Sequence, residues 1–304
     1  MLVVNSAETG PSTGRAVDDG PVPGGWTAGG RLAAVSRARA GAAVVGSAQR
    51  RTILGQVLTV AVLIAVWEAF SYSALAAAAE VPGALETLQR LAALTVEAVF
   101  WSDVANTVVS WGLGLALSLV VAVPLGLWIG SFRRATDSTR FLIDFMRTIP
   151  PVAVIPLALL ILGPTREMEV LLVVLGAGWP LVVQAIYAVR QMDPVLEQVA
   201  CSYRLSAWHR ARYLYGPSAL PIVWTGVRIA SVISLLVCVA AEMIGGAPGL
   251  GQALNRSLLA NQNASVFAYV VVAGALGVVI NAFLIAVGSR ILQWHPSIRG
   301  RRQR

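Results

Sequence analysis

Residues 190–221 read RQMDPVLEQVACSYRLSAWHRARYLYGPSALP and lie between two strongly apolar segments. The stretch carries Arg190, Asp193, Glu197, Arg204, Arg210 and Arg212. That is too much charge for a hydrocarbon core, at about 2.5–3.5 kcal/mol for each group. Its spacing is nonetheless helical. Val195, Val199, Ser202 and Tyr203 fall near one face, and Leu205 and Trp208 follow. A structured, charged helix between two membrane spans reads as a docking element rather than a linker. Pro217 and Pro221 close it and start the next span.

The remainder of the chain supplies the membrane. Of 304 residues, 57% are hydrophobic and 12% charged, against about 25% charged in a soluble domain. The composition is that of an integral membrane protein. The net charge of +8 comes from Arg alone, since the sequence contains no Lys. These arginines are spread over short loops and tails and form no single basic face, which argues against nucleic-acid binding. Cys201 and Cys238 show no CxxC spacing, and His209 and His295 stand alone. The sequence therefore suggests neither a disulfide framework nor a metal site.

Six apolar stretches are expected to span the bilayer, at approximately 53–70, 104–129, 141–162, 170–189, 219–241 and 266–287. The expected organisation is a flexible cytoplasmic N-terminal tail at 1–50, a membrane domain at 51–290 with a cytoplasmic loop at 190–217, and a basic cytoplasmic tail at 291–304. Of the 23 Arg, eighteen fall in segments 31–51, 131–147, 190–217 and 288–304, and three fall in 71–103, 163–169 and 243–265. That bias places both termini in the cytoplasm.

The third span is irregular. Pro150, Pro151 and Pro156 interrupt it, as pathway-lining kinks or as purely structural ones. Trp179 and Gln184 in the fourth span face either a cavity or a neighbouring helix. Arg228 in the fifth span is either a pathway residue suited to an anion or a snorkelling side chain. Glu242 closes that span as a gate or structural residue. The Gly126/Gly130 pair in the second span permits close helix approach.

The pieces RTIPPVAVIPLALLILG at 147–163, LGAGWPLVVQAIYAVR at 175–190, TGVRIA at 225–230 and AAEMIGGAPGLG at 240–251 follow in order around the opening stretch. Over about residues 50–290 the arrangement resembles the permease subunit of bacterial ABC importers, of the sulfonate, taurine and nitrate type. The resemblance implies an all-α polytopic membrane protein with the six-helix type I importer permease fold. It makes 190–217 the EAA-like loop, with a cytoplasmic coupling helix at about 194–202. Matching on the trailing PSALP puts Gln198 at the family's Glu, with Glu197 beside it. Ala200 falls at the family's Ala, Tyr203 at an aromatic position, Arg204 at the family's Gly and Pro217 at the loop-terminal proline. With Pro194, Arg210 and Arg212, these are the expected coupling residues. Gln198 and Arg204 depart from the family pattern.

The resemblance further implies a subunit that is not itself an enzyme and holds no cofactor. ATP and Mg would be bound by separate partners, and the chain has no Lys for a GxxxxGK[ST] loop. The implied partners are a second permease copy, two cytoplasmic ATPase subunits, an extracytoplasmic solute-binding protein and membrane lipid. The implied location is the bacterial inner membrane, and the implied substrate is a small organic anion such as a sulfonate. A six-span secondary transporter would need internal repeats or a buried carboxylate relay. A membrane-embedded enzyme would need clustered His, Asp or Glu. The remaining alternative is a structural or assembly subunit without a pathway.

Overall fold

The computed structural model describes residues 54–192 and 194–293, with the side chains of Pro194, Glu197, Ala207 and Ala211 excepted. The expected N-terminal tail and all but the first three residues of the expected C-terminal tail lie outside that range. The chain divides into two compact units, 1–60 and 61–304. Of the first, only residues 54–60 are described, as the opening turns of helix α1 (Leu54–Ser71). Among the described residues every regular element is helical.

The second unit continues α1. It then runs through α2 (Ala74–Ala78), α3 (Ala84–Leu94), α4 (Ala98–Ser131), α5 (Arg133–Thr148), a 3₁₀ turn (Pro151–Val154) and α6 (Ile155–Leu162). Next come α7 (Arg166–Arg190), α8 (Pro194–Ser202), α9 (Ala207–His209), a π-helical turn (Arg210–Tyr215), α10 (Gly216–Gly245), α11 (Leu250–Leu259) and α12 (Asn263–Ile291). Five helices are long and apolar enough to cross a membrane, or six if the bent pair of α5 with the segment Pro151–Leu162 counts as one span. Their outward faces are apolar. Val120, Leu160, Leu236 and Val278 are each well exposed.

The centre of the bundle is α7, packed between α4 and α10. Small residues explain the close approach of α4. Gly114, Ser118, Ala122, Gly126 and Gly130 recur every fourth position and are all buried, so one ridge of the helix is nearly flat. A methyl added at Gly126 would meet the Val182 carbonyl oxygen of α7 at 2.5 Å, and one at Gly130 would meet Ile186 at 3.1 Å. The sequence shows only the Gly126/Gly130 end of this stripe as a glycine pair.

The third span, expected to be irregular over 141–162, is two helical pieces. α5 and the segment Pro151–Leu162 meet at 73°. Two consecutive prolines cause the break. Each lacks an N–H and pushes the residue before it out of the helical region. Ile149 and Pro150 are accordingly extended, with ψ of 113° and 121°. α5 itself is amphipathic. Ile143 is buried, whereas Phe141, Leu142 and Phe145 are exposed.

At the end of the bundle opposite α8, the connections are tied by side chains. The Glu68 carboxylate accepts the Leu85 N–H at 3.1 Å and caps α3, whose own N-cap is Gly83. Asp103, buried in the first turns of α4, pairs with Arg256 of α11 at 3.2 Å. The start of α4 at Ala98, ahead of the expected 104, brings Asp103 into the bundle.

Candidate functional site

Residues 190–221 form a helix, a turn and a second helix that runs on into the membrane. α8 ends in a backbone turn at Arg204. Leu205 N–H donates to Ala200 O and Arg204 N–H donates to Cys201 O, both at 3.0 Å. This is the Schellman arrangement, in which the residue after the cap is left-handed. Arg204 occupies that position with φ 50°. The arginine at the resembled family's glycine thus preserves a left-handed turn. Ala200, 1% exposed, packs beneath it.

Arg210 braces the same turn. Its Nε donates to Leu205 O at 3.2 Å, and an Nη reaches Cys201 Sγ at 3.4 Å. Ser206 Oγ and His209 Nδ1 are 2.7 Å apart, and the His209 ring stacks on Tyr213. Arg212 points outward with its guanidinium 5.9 Å from the Tyr213 ring centre. Tyr203, Trp208 and Tyr213 are 76%, 69% and 66% exposed. They leave an aromatic surface uncovered beside Gln198, which is also exposed. The expected contacts through the Pro194 and Glu197 side chains lie outside the described residues.

The π-helical turn over Arg210–Tyr215 has a local cause. Pro217 cannot donate to Tyr213 O, and its ring crowds that carbonyl. A wider backbone ring just before it relieves the conflict. Helix α10 then continues past Pro221 to Gly245. Any displacement of α8 is therefore applied to the base of a membrane-crossing helix that packs on α7.

The expected pathway residues do not share one surface. Pro150 and Pro156 are exposed around the break before α6. Trp179 is half-buried against the α4/α7/α10 core, and the Gln184 stem lies against Gly226 of α10. Arg228, near the middle of the 30-residue α10, is exposed, and its Nη2 donates to Asn281 Oδ1 of α12 at 3.2 Å. Asn281 is neutral, and among the described residues no carboxylate pairs with Arg228. The guanidinium therefore lies partway along an apolar helix with a neutral partner. It is costly against lipid and suited to an anion or a polar surface.

Glu242 is fully buried. Its Oε2 accepts the Gly251 N–H at 2.7 Å, and Thr107 Oγ1 accepts the Leu250 N–H at 2.9 Å. These bonds satisfy the first amides of α11 and fix it to α10 and α4. Around Glu242 the fold gathers groups that the spacing of the sequence did not connect. Glu169 of α7 and Cys238 of α10 place ligand-type atoms within 4.8 Å of one another and of Glu242. The only linear signal is Cys238 and Glu242, one helical turn apart.

Comparisons with known proteins place this geometry. A family model described as binding-protein-dependent transport system inner membrane component matches residues 122–293, more than half of the chain. The chain is 25% identical over 241 residues to the putative aliphatic sulfonates transport permease protein SsuC of Bacillus subtilis, covering 79% of this chain and 87% of that one. It is 28% identical over 186 residues to the nitrate import permease protein NrtB of Synechocystis, covering 59% and 65%. To the bicarbonate transport system permease protein CmpB of Synechococcus elongatus it is 26% identical over 235 residues, covering 72% and 82%. Among solved structures, the fold matches an inward-facing form of the MetNI methionine ABC transporter with a TM-score of 0.52 and 21% identity. That match covers 66% of this chain and 95% of the other.

Proposed function

The chain belongs to the family of binding-protein-dependent transport system inner membrane components, and on that premise we propose that it moves a small anion across the membrane by coupling through α8 to separate ATPase subunits. It is a transmembrane permease subunit of an ABC importer. The coupling assignment goes further. Its main support is the placement of α8, closed at its C-terminal end by a backbone turn, followed by exposed Tyr203, Trp208 and Tyr213 and joined through a braced turn to the base of α10.

In this reading two permease copies pair around a pathway, and two ATPases sit beneath them in the cytoplasm. A solute-binding protein delivers substrate from the other side. ATP-driven closure of the ATPases displaces α8 and with it α10, shifting the permease between two states by differential binding. Gln198, Tyr203 and Arg212 make the contacts. Arg210 holds the turn in shape. The arginine bias supports a cytoplasmic position for α8 and both termini.

The anion preference rests on Arg228 and its neutral partner Asn281. The sulfonate, nitrate and bicarbonate named for the relatives are all anions. Affinity purification from native membranes in mild detergent tests the assembly, with recovery of a Walker-type ATPase expected. Its reproducible absence from intact membranes would overturn the reading. Replacing both Glu197 and Gln198 with Arg should leave the protein inserted and the ATPase active while abolishing transport. Normal transport by that variant would remove α8 from the coupling role.

A further inference from the structure

We propose that Glu169, Cys238 and Glu242 form a structural cation site for a borderline-soft divalent ion of the Zn²⁺ type, at the end of the bundle opposite α8. Two buried carboxylates face one another here, 1% and 0% exposed, beside a fully buried thiol. Neither carboxylate takes part in an ion pair among the described residues. A buried carboxylate stays charged only when it is paired or bound to a metal, and is otherwise protonated.

The unmet hydrogen-bonding capacity lies at the same place. Both Glu169 oxygens are buried without a hydrogen-bond partner. The Ser110 hydroxyl of α4, 1% exposed, is the group that reaches toward the Glu169 carboxylate, without a well-formed hydrogen bond between them. Native interiors rarely leave so many polar atoms unsatisfied in one spot without a ligand to account for them. Glu242 already binds the Gly251 N–H through Oε2. Its Oε1 accepts from the Cys238 thiol, a contact that metal binding would replace with two bonds to the ion.

The spacing fits the chemistry. With a Zn–S bond of about 2.3 Å and a Zn–O bond of about 2.0 Å, the sulfur-to-oxygen edge of a tetrahedron is about 3.5 Å. Cys238 Sγ and Glu242 Oε1 are 3.5 Å apart. Glu169 supplies a third donor within 4.8 Å of both. Ser110 is left for the fourth position. A thiolate with two carboxylates carries three negative charges, which a divalent ion offsets far better than any side chain nearby. The ion would join α7 to α10 and, through the Glu242–Gly251 bond, hold α11. Because all three ligands are buried, the ion would serve the packing of the bundle, with Ser110 rather than water in the fourth position closing the site.

The test uses the full chain, purified in detergent with its native partners and analysed for metal by mass spectrometry. Stoichiometric Zn²⁺ that survives gel filtration supports the site. So does a thiolate-to-cobalt absorption band after chelation and reloading with Co²⁺. Cys238→Ser should abolish the band, and Glu242→Gln should weaken Co²⁺ binding by about 100-fold or more, beyond what loss of a supporting group alone brings. Because either variant can fail to fold, Glu169→Arg provides a separate check. Its tethered cation would sit between Glu242 and the thiol, so a folded, metal-free protein is expected. Metal content unchanged in Cys238→Ser or Glu169→Arg overturns the proposal. So does a folded wild type that contains no metal and shows no cobalt band, the outcome if the two carboxylates merely share a proton.

Discussion

Helices α8 and α10 both end in a left-handed residue, Arg204 with φ 50° and Gly246 with φ 75°. The turn after α8 is exposed. Backbone bonds and one arginine brace hold it, and it contains no glycine between 194 and 215. The turn after α10 is buried and carries Gly245, Gly246, Gly249 and Gly251. Space around Gly246 is open, so its own requirement is conformational. Its neighbours are different. A methyl at Gly245 would meet Met168 Cε at 2.6 Å, and methyls at Gly249 and Gly251 would run into Glu242 and the Val239 carbonyl. Both turns place a left-handed residue just past the helix, closed by two backbone bonds after α8 and by Gly246 N–H donating to Glu242 O after α10. They differ further in how closely other groups approach, and this decides how far the sequence can drift. An exposed turn tolerates Arg at a left-handed position, whereas the buried joint needs small residues on both sides.

The strongest way to break this contrast is Gly251→Ala. The new methyl meets backbone rather than a movable side chain, and it also disturbs the Glu242 carboxylate that accepts the Gly251 N–H. Overpacking of this kind should cost about 3 kcal/mol, read as a lower thermal unfolding midpoint in detergent. Gly246→Ala should cost only about 1 kcal/mol, the left-handed penalty alone. If the two variants lose equal stability, crowding is not what separates the joints.

A smaller effect is expected at Thr107→Val, which preserves shape and removes the acceptor for Leu250 N–H. Leaving that buried amide unpaired should cost about 2 kcal/mol. Hydrogen exchange should show the loss first at the start of α11, while the turn after α8 remains unchanged. Equal change at both ends would mean that the two joints are mechanically linked.

Legibility follows the same division. Helix α8 can be read from the sequence because its start is marked by Pro194 and its charges exclude it from the bilayer. The apolar runs that become α4, α7, α10 and α12 are legible from length alone. Three features are not. The prolines announce an interrupted third span, but the size of its bend, 73°, depends on how they hold Ile149 and Pro150 extended, which no sequence pattern registers. The fit of α4 on α7 depends on five small residues of mixed type, of which only two read as a glycine pair. The Glu169, Cys238 and Glu242 cluster is assembled by the packing of α7 on α10, so nothing in its linear spacing announces it. Candidate residues are legible where a local motif carries them, as at Gln198 and Arg204, and hidden where only tertiary contact brings them together.

The exposed joint offers the smallest effect and the sharpest one. Arg204→Gly removes a side chain from a left-handed position that disfavours it by about 1–2 kcal/mol, while glycine gives back part of that gain as unfolded-chain entropy. A net stabilisation of about 0.5–1 kcal/mol is expected. Cys201, exposed three residues before the turn, reports the consequence for function, and buried Cys238 provides an internal control. A membrane-impermeant maleimide should label Cys201 from the cytoplasmic side when the permease is alone, and more slowly when the ATPase covers α8. If Arg204→Gly raises stability and leaves that protection intact, arginine at 204 is a tolerated departure that costs stability and leaves coupling unaltered. If protection falls, the arginine itself is part of the docking surface, and the exposed joint is specialised rather than merely permissive.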